Sequence, residues 1–233
     1  MRRYLAHTSS PLFGIVTILP LALYYEITMF LANRGMEAEL RNAADVLFKR
    51  LFEMMGFDGP LAGIVLFAVL FITAALFQGA HREETGVHIA WKYYPLMLAE
   101  SALYALVLLL LMAVSMNVTA ALQLMLSPVD VGYSLGAGVY EELLFRGLLL
   151  QGLLAGAVRL PGKTALWKAA AVLLSALLFS GAHYLGAAGD TFTFLSFTSR
   201  TLGGILLGSV YMLRGIGPAV YTHAVYDIYT LLI

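Results

Sequence analysis

Read for hydropathy alone, the chain is a series of long apolar runs broken by short polar stretches. A membrane span needs about 20 consecutive apolar residues, and seven segments fit: 12–33, 60–80, 94–116, 130–158, 165–188, 191–213 and 217–233. The last is short and ends with the chain. One polar stretch has a period of its own. Glu37–Met55 puts Ala44, Leu47, Phe48, Leu51 and Met55 on one helical face, with Arg41, Asp45, Lys49 and Glu53 elsewhere. That division suits a helix lying at the membrane surface, and an ordinary solvated connecting helix fits it equally well. Trp91 and Lys92 stand at the edge of the third segment, where interfacial anchors belong. There is no internal repeat and no linker long enough for a second domain. The pattern predicts an all-α polytopic transmembrane bundle of about seven spans, a single membrane domain over 1–233.

Composition strengthens the membrane reading. Of 233 residues, 61% are hydrophobic and only 12% are charged, about half the charged share of a soluble domain. With no cysteine there is no disulfide framework, no thiolate nucleophile and no Cys-ligated metal. A net charge of zero predicts no nucleic-acid partner. The start, MRRYLAHTSSP, is basic, but the apolar run after it is too long for a cleaved leader and reads as a retained first span. With seven spans, the N-terminal side carries Arg2, Arg3, Arg82, Lys92, Arg159, Lys163, Lys168 and Arg214, against Arg34, Arg41, Lys49 and Arg50 opposite. Cytoplasmic loops collect Lys and Arg, so the expected arrangement is a cytoplasmic N-terminus and an external C-terminus. The expected location is a bacterial inner membrane.

Against this background Val139–Gly147, VYEELLFRG, stands out, because it places three charges inside the fourth apolar run. An ionisable side chain at bilayer depth costs at least about 2.5 kcal/mol on insertion scales, so such groups face the bundle interior or a wet cavity. The intramembrane set is Glu26, Glu100, Glu141, Glu142, Arg146, His183, Arg200, His223 and Asp227. Glu26 and Glu100 are expected in structural ion pairs, and Arg200 is expected to neutralise a carboxylate on a neighbouring helix. The remainder cluster differently. Glu142 and Arg146 are four apart and share a helix face, leaving Glu141 about 100° round the helix for another task. Phe179 and His183 are four apart on a later segment, and so are His223 and Asp227. At 1.5 Å per residue, Glu141, His183 and His223 lie at depths of roughly 16, 8 and 15 Å from one membrane face, within reach of one another.

A carboxylate with two histidines points to hydrolysis. Burial in a low dielectric makes a carboxylate a stronger base, so Glu141 is the expected general base, with His183 holding the same water. His223, oriented by Asp227, is expected to donate to the oxyanion of a scissile carbonyl. Arg146 is expected to hold Glu142. An ion or proton pathway also uses Glu and His chains in membranes, and stays open.

The order EExxxR (Glu141, Glu142, Arg146), FxxxH (Phe179, His183) and HxxxN/D (His223, Asp227) resembles the CAAX protease and bacteriocin-processing family, also called Abi. These are glutamate intramembrane proteases related to the type II CAAX prenyl endopeptidase. The resemblance covers about 100 residues, from Gly138 to the end, and implies a catalytic core over about 130–233. It implies a metal-independent endopeptidase without cofactor, in which Glu141 and His183 activate water and His223 with Asp227 forms the oxyanion site. Asp227 stands where many members carry Asn, and an ionised Asp cannot donate; either it is protonated or it orients His223. The implied partner is a protein or peptide substrate in the lipid bilayer, cut near a membrane-embedded or lipid-anchored terminus, as in C-terminal tail or peptide processing. Three rivals remain. Gly132–Gly136, GYSLG, fits GxSxG and faintly resembles a rhomboid serine protease using Ser134 and His183. His183, His223 and a glutamate form a sparse metal set without HExxH. A transporter or scaffold would use Gly152/Gly156 and Gly204/Gly208 as packing seams.

Overall fold

Apolar runs of this length form helical rods, and the rods pack side by side. The computed structural model describes residues 1–36, 39–57, 60–80, 89–116, 126–157, 164–186 and 189–232, all of them helical or irregular. A short α1 (Arg2–Thr8) precedes α2 (Pro11–Ala32), whose N-cap Ser10 accepts from the Phe13 N–H and whose first residue is proline. Then come α3 (Ala43–Glu53), α4 (Pro60–Ala80), a 3-10 turn at Trp91–Tyr93 and α5 (Tyr94–Met116). The fourth rod is composite: α6 (Pro128–Glu142), a π-helical stretch (Leu143–Leu150) and α7 (Gln151–Ala157). The chain closes with α8 (Thr164–Ala182), α9 (Phe194–Arg214) and α10 (Ile216–Leu231). Three stretches, Pro11–Ala32, Trp91–Ala113 and Thr164–Ala182, are long and apolar enough to cross a membrane, and Leu61–Leu76 is a shorter apolar helix. Arg82, Arg159 and Lys163 of the orientation argument lie outside the described residues.

At the centre, α2 and α6 pack against α10, with Phe13, Ile18, Tyr25, Val139, Tyr140, Leu143 and Val220 all buried. Lipid tails are as apolar as leucine, so close fit rather than hydrophobic burial holds such helices together. The fit is made at small residues. A Cβ on Gly136 would stand 2.2 Å from the Tyr25 ring, and one on Gly138 would stand 2.8 Å from the Ala224 backbone nitrogen. The second contact matters most for the site, because it presses the start of EExxxR against the helix bearing His223. Of the expected glycine seams, Gly204 does pack hard: a Cβ there would stand 2.9 Å from the Ala176 Cα. Among the described residues, by contrast, nothing lies within 4 Å of a Cβ placed on Gly152 or Gly156.

Two elements differ from the sequence expectation. The fifth rod ends at Ala182 rather than near 188, so His183 sits in the turn beyond the helix. The amphipathic helix also turns part of its charged face inward. Asp45 is fully buried alongside Ala44 and Phe48 of the apolar face, while Leu47, Leu51 and Met55 are exposed. The reason is Glu26, stranded on an apolar helix and needing cations. Lys49 Nζ lies 3.0 Å and Arg41 Nη1 3.2 Å from its carboxylate, and Tyr140 donates to it at 2.7 Å. Asp45 restores the balance, pairing with Arg41 at 2.9 Å and Lys49 at 3.1 Å and accepting from the Tyr25 hydroxyl at 2.9 Å. Burial works against the Arg41 charge, but the hydrogen bond from Arg41 to Asp45 and the field of Glu26 outweigh it and bind the guanidinium proton more tightly than usual.

Candidate functional site

EExxxR begins in α-helix and ends in π-helix. π-Turns in helices occur frequently at functional sites, and here the turn starts one residue after Glu142. Glu142 and Arg146 are both buried, and Arg146 Nη1 donates to Glu142 Oε1 at 2.7 Å. The guanidinium also donates to the Gly204 carbonyl at 3.1 Å, and its carbon lies 4.6 Å from the centre of the Phe179 ring.

The same Glu142 oxygen accepts from His223 Nδ1 at 2.8 Å. The group orienting this imidazole is therefore Glu142, which differs from the expected Asp227. Asp227 Oδ2 stands 3.7 Å from Nε2, beyond hydrogen-bond range. With Nδ1 committed to Glu142, the Nε2 edge of His223 faces the site.

His183 is held in a parallel way. Its Nδ1 donates to the Phe179 carbonyl at 2.9 Å. A carbonyl can only accept, so Nδ1 carries the proton and Nε2 presents a lone pair when the ring is neutral. Phe179, given no task by the sequence reading, is the wedge that sets both rings. Its own ring lies 4.9 Å from that of His183, 5.9 Å from that of His223 and 5.3 Å from Phe145, each edge-on.

Both free imidazole edges converge on one atom. His183 Nε2 and His223 Nε2 each lie 4.0 Å from Glu141 Oε2. That is too far for a direct hydrogen bond and matches a span bridged by one water with two ordinary bonds. The other oxygen of Glu141 accepts from Asn42 Nδ2 at 2.8 Å. The sequence marks Asn42 as no more than a helix N-cap beside Arg41; nothing in it links this residue to Glu141, 99 positions away. A cavity of about 250 Å³ borders the site, lined by Phe179, His183, Arg200, His223, Tyr226 and Asp227, with Leu108, Met112 and Leu207 as its apolar wall. Among the described residues, no group of three or more His, Cys, Asp or Glu side chains is arranged to hold a metal ion.

Residues 123–229 match the model of a family described as Type II CAAX prenyl endopeptidase Rce1-like. Over this segment the chain is similar to the Rce1-like family. No curated protein and no solved structure matches the chain. The matched segment holds every member of the constellation except Asn42, which comes from the part of the chain that precedes it.

The remaining intramembrane charges have ion-pair partners outside the constellation, although Arg200 also lines its cavity. Glu100 takes two bonds of 2.7 Å from Arg214, one from the Tyr104 hydroxyl at 2.7 Å, and one from Tyr4. Glu26 belongs to the α3 cluster. Arg200 pairs with Asp190 at 2.5 Å, in the turn before its own helix rather than on a neighbouring one. Ser134 of GYSLG donates to the Asp130 carbonyl at 3.0 Å within its own helix, and its flanking Gly132 and Gly136 are the seam against Thr28 and Tyr25.

Proposed function

We propose that the protein is an intramembrane endopeptidase of the glutamate type. It would cleave a peptide bond near a membrane-embedded or lipid-anchored terminus, as in C-terminal tail or peptide processing. The observation that carries the reading is the convergence of two imidazole Nε2 atoms on one Glu141 oxygen, each at 4.0 Å. The Rce1-like match supports the reaction class.

A water held between Glu141 Oε2 and His183 Nε2 loses a proton to Glu141 as its oxygen attacks the scissile carbonyl carbon. Negative charge grows on the carbonyl oxygen. His223 meets it with a Nε2 proton, its ring flanked by the carboxylates of Glu142 on one side and Asp227 on the other. The proton on Glu141 then passes to the departing amine as the C–N bond breaks, so water is split between the two products and Glu141 returns to its starting form. Asp227 contributes charge rather than a hydrogen bond to the oxyanion, which suits Asp at a position where relatives often carry Asn. Arg146 takes no part in bond making; it keeps Glu142 an acceptor for His223. The 250 Å³ cavity beside the imidazoles gives the polypeptide a place to lie.

The test is a comparison of peptide termini in membranes carrying the wild type or Glu141→Gln. Gln keeps the shape and the bond from Asn42 but cannot take a proton. The wild type should yield shifted C-termini in membrane proteins that vanish in the variant, a rate loss of about 10²–10⁴-fold or more. Identical termini in the two membranes would overturn the proposal.

A further inference from the structure

We propose that Asn42 is a positioning residue of this hydrolytic site, so that the segment before the family-matched half supplies part of its working geometry. The inference rests on the function proposed above. The orientation of the Asn42 amide, normally ambiguous, is determined by its partners. Oδ1 accepts the Ala44 N–H at 2.8 Å as the N-cap of α3, and Nδ2 donates to Glu141 Oε1 at 2.8 Å. Flipping the amide would set donor against donor and acceptor against acceptor.

The loop is braced so that this amide has little choice of place. Asn33 grips Leu40 from both sides, donating to its carbonyl at 3.1 Å and accepting its N–H at 2.7 Å. The Asn42 N–H donates to the Tyr25 hydroxyl at 3.0 Å. One residue before it, Arg41 is tied to Glu26 and Asp45; seven residues after it, Lys49 is tied to the same two carboxylates. Asn42 itself is 4% exposed. The charged cluster on α3 thus holds a single donor against one oxygen of Glu141.

The consequence falls on the other oxygen. Glu is a long side chain with several rotamers. Occupying Oε1 turns Oε2 toward the two imidazoles, where the water must sit. A reacting group misplaced by about 1 Å can cost on the order of 100-fold in rate, and Asn42 is the contact that holds Glu141 from the side opposite the histidines.

Asn42→Ser and Asn42→Asp test this, because both residues cap a helix about as well as Asn while neither can donate to Glu141 as the amide does. Purified full-length variants are assayed on the peptide identified by the terminus comparison, with thermal unfolding measured alongside. The expected result is a kcat lower by roughly 10–100-fold with KM unchanged in both variants and the unfolding midpoint unchanged in Asn42→Ser; Asn42→Asp should lose more kcat and some stability, because it sets a second carboxylate against Glu141. Wild-type kcat in either variant overturns the inference and leaves the proposed function standing. In Asn42→Ser, a loss of kcat that tracks a loss of thermal stability also overturns it, since a purely structural cap behaves so. Absence of any Glu141-dependent cleavage by the wild type overturns the proposed function and this inference with it.

Discussion

At the scale of single residues, the site is a chain of committed hydrogen bonds that leaves one edge of each group free. His183 commits Nδ1 to a carbonyl, His223 commits Nδ1 to Glu142, and Glu141 commits Oε1 to Asn42. What remains uncommitted points inward. Arg146 anchors this order through Glu142. Removing one partner of a buried pair leaves an uncompensated charge, at a cost of about 3–5 kcal/mol. Arg146→Ala should therefore lower stability by that amount in chemical unfolding of the detergent-solubilised protein. A double Glu142→Gln, Arg146→Met variant should recover most of the stability but none of the activity, because His223 has lost its carboxylate. EExxxR, FxxxH and HxxxD were legible because each motif repeats a helical spacing inside apolar sequence. Asn42 was not, because a hydrogen bond across 99 positions leaves no periodic trace.

At the scale of elements, α3 shows why amphipathicity fixes that a helix has two faces and not which one is buried. In water the apolar face turns in. Here a stranded Glu26 draws Arg41, Asp45 and Lys49 inward beside Ala44 and Phe48, and leaves Leu47, Leu51 and Met55 outside. Asp45 is the keystone, carrying Arg41, Lys49 and Tyr25 at once. Asp45→Ala should loosen this helix, costing up to about 3 kcal/mol, the low end for a broken buried pair because Glu26 still holds both cations. Hydrogen exchange should rise across Ala43–Glu53 while α2 and α10 keep their protection; uniform protection throughout would contradict this account. The composite fourth rod follows the same logic. Its apolar pattern reads as one helix, yet it changes to π-helix over Leu143–Leu150, the stretch from which Arg146 reaches both Glu142 and the Gly204 carbonyl.

At the scale of the whole molecule, the rods are packed so that α10, the start of the turn after α8 and the end of α6 deliver His223, His183 and Glu141 to one layer. From the Lys and Arg distribution, that layer is expected toward the outer face of the membrane. The chain has no cysteine, so single-cysteine variants at Tyr184 and Tyr229 report orientation on a silent background. Both should react with a membrane-impermeant maleimide added outside intact cells; labelling only after the membrane is opened would reverse the orientation and with it the compartment of the substrate.

The amino-acid sequence alone determined that the chain is a helical membrane bundle, where its apolar rods lie, and which charges are too costly to be idle. Those follow from local periodicity and from the cost of a charge in hydrocarbon, both of which are properties of short stretches. The tertiary structure alone decided that Glu142 rather than Asp227 holds His223, that α3 buries its charges, and that Asn42 reaches Glu141. Each of these depends on which helices meet and at what depth, and that is settled by close packing at glycines and by the pairing of charges far apart in the chain.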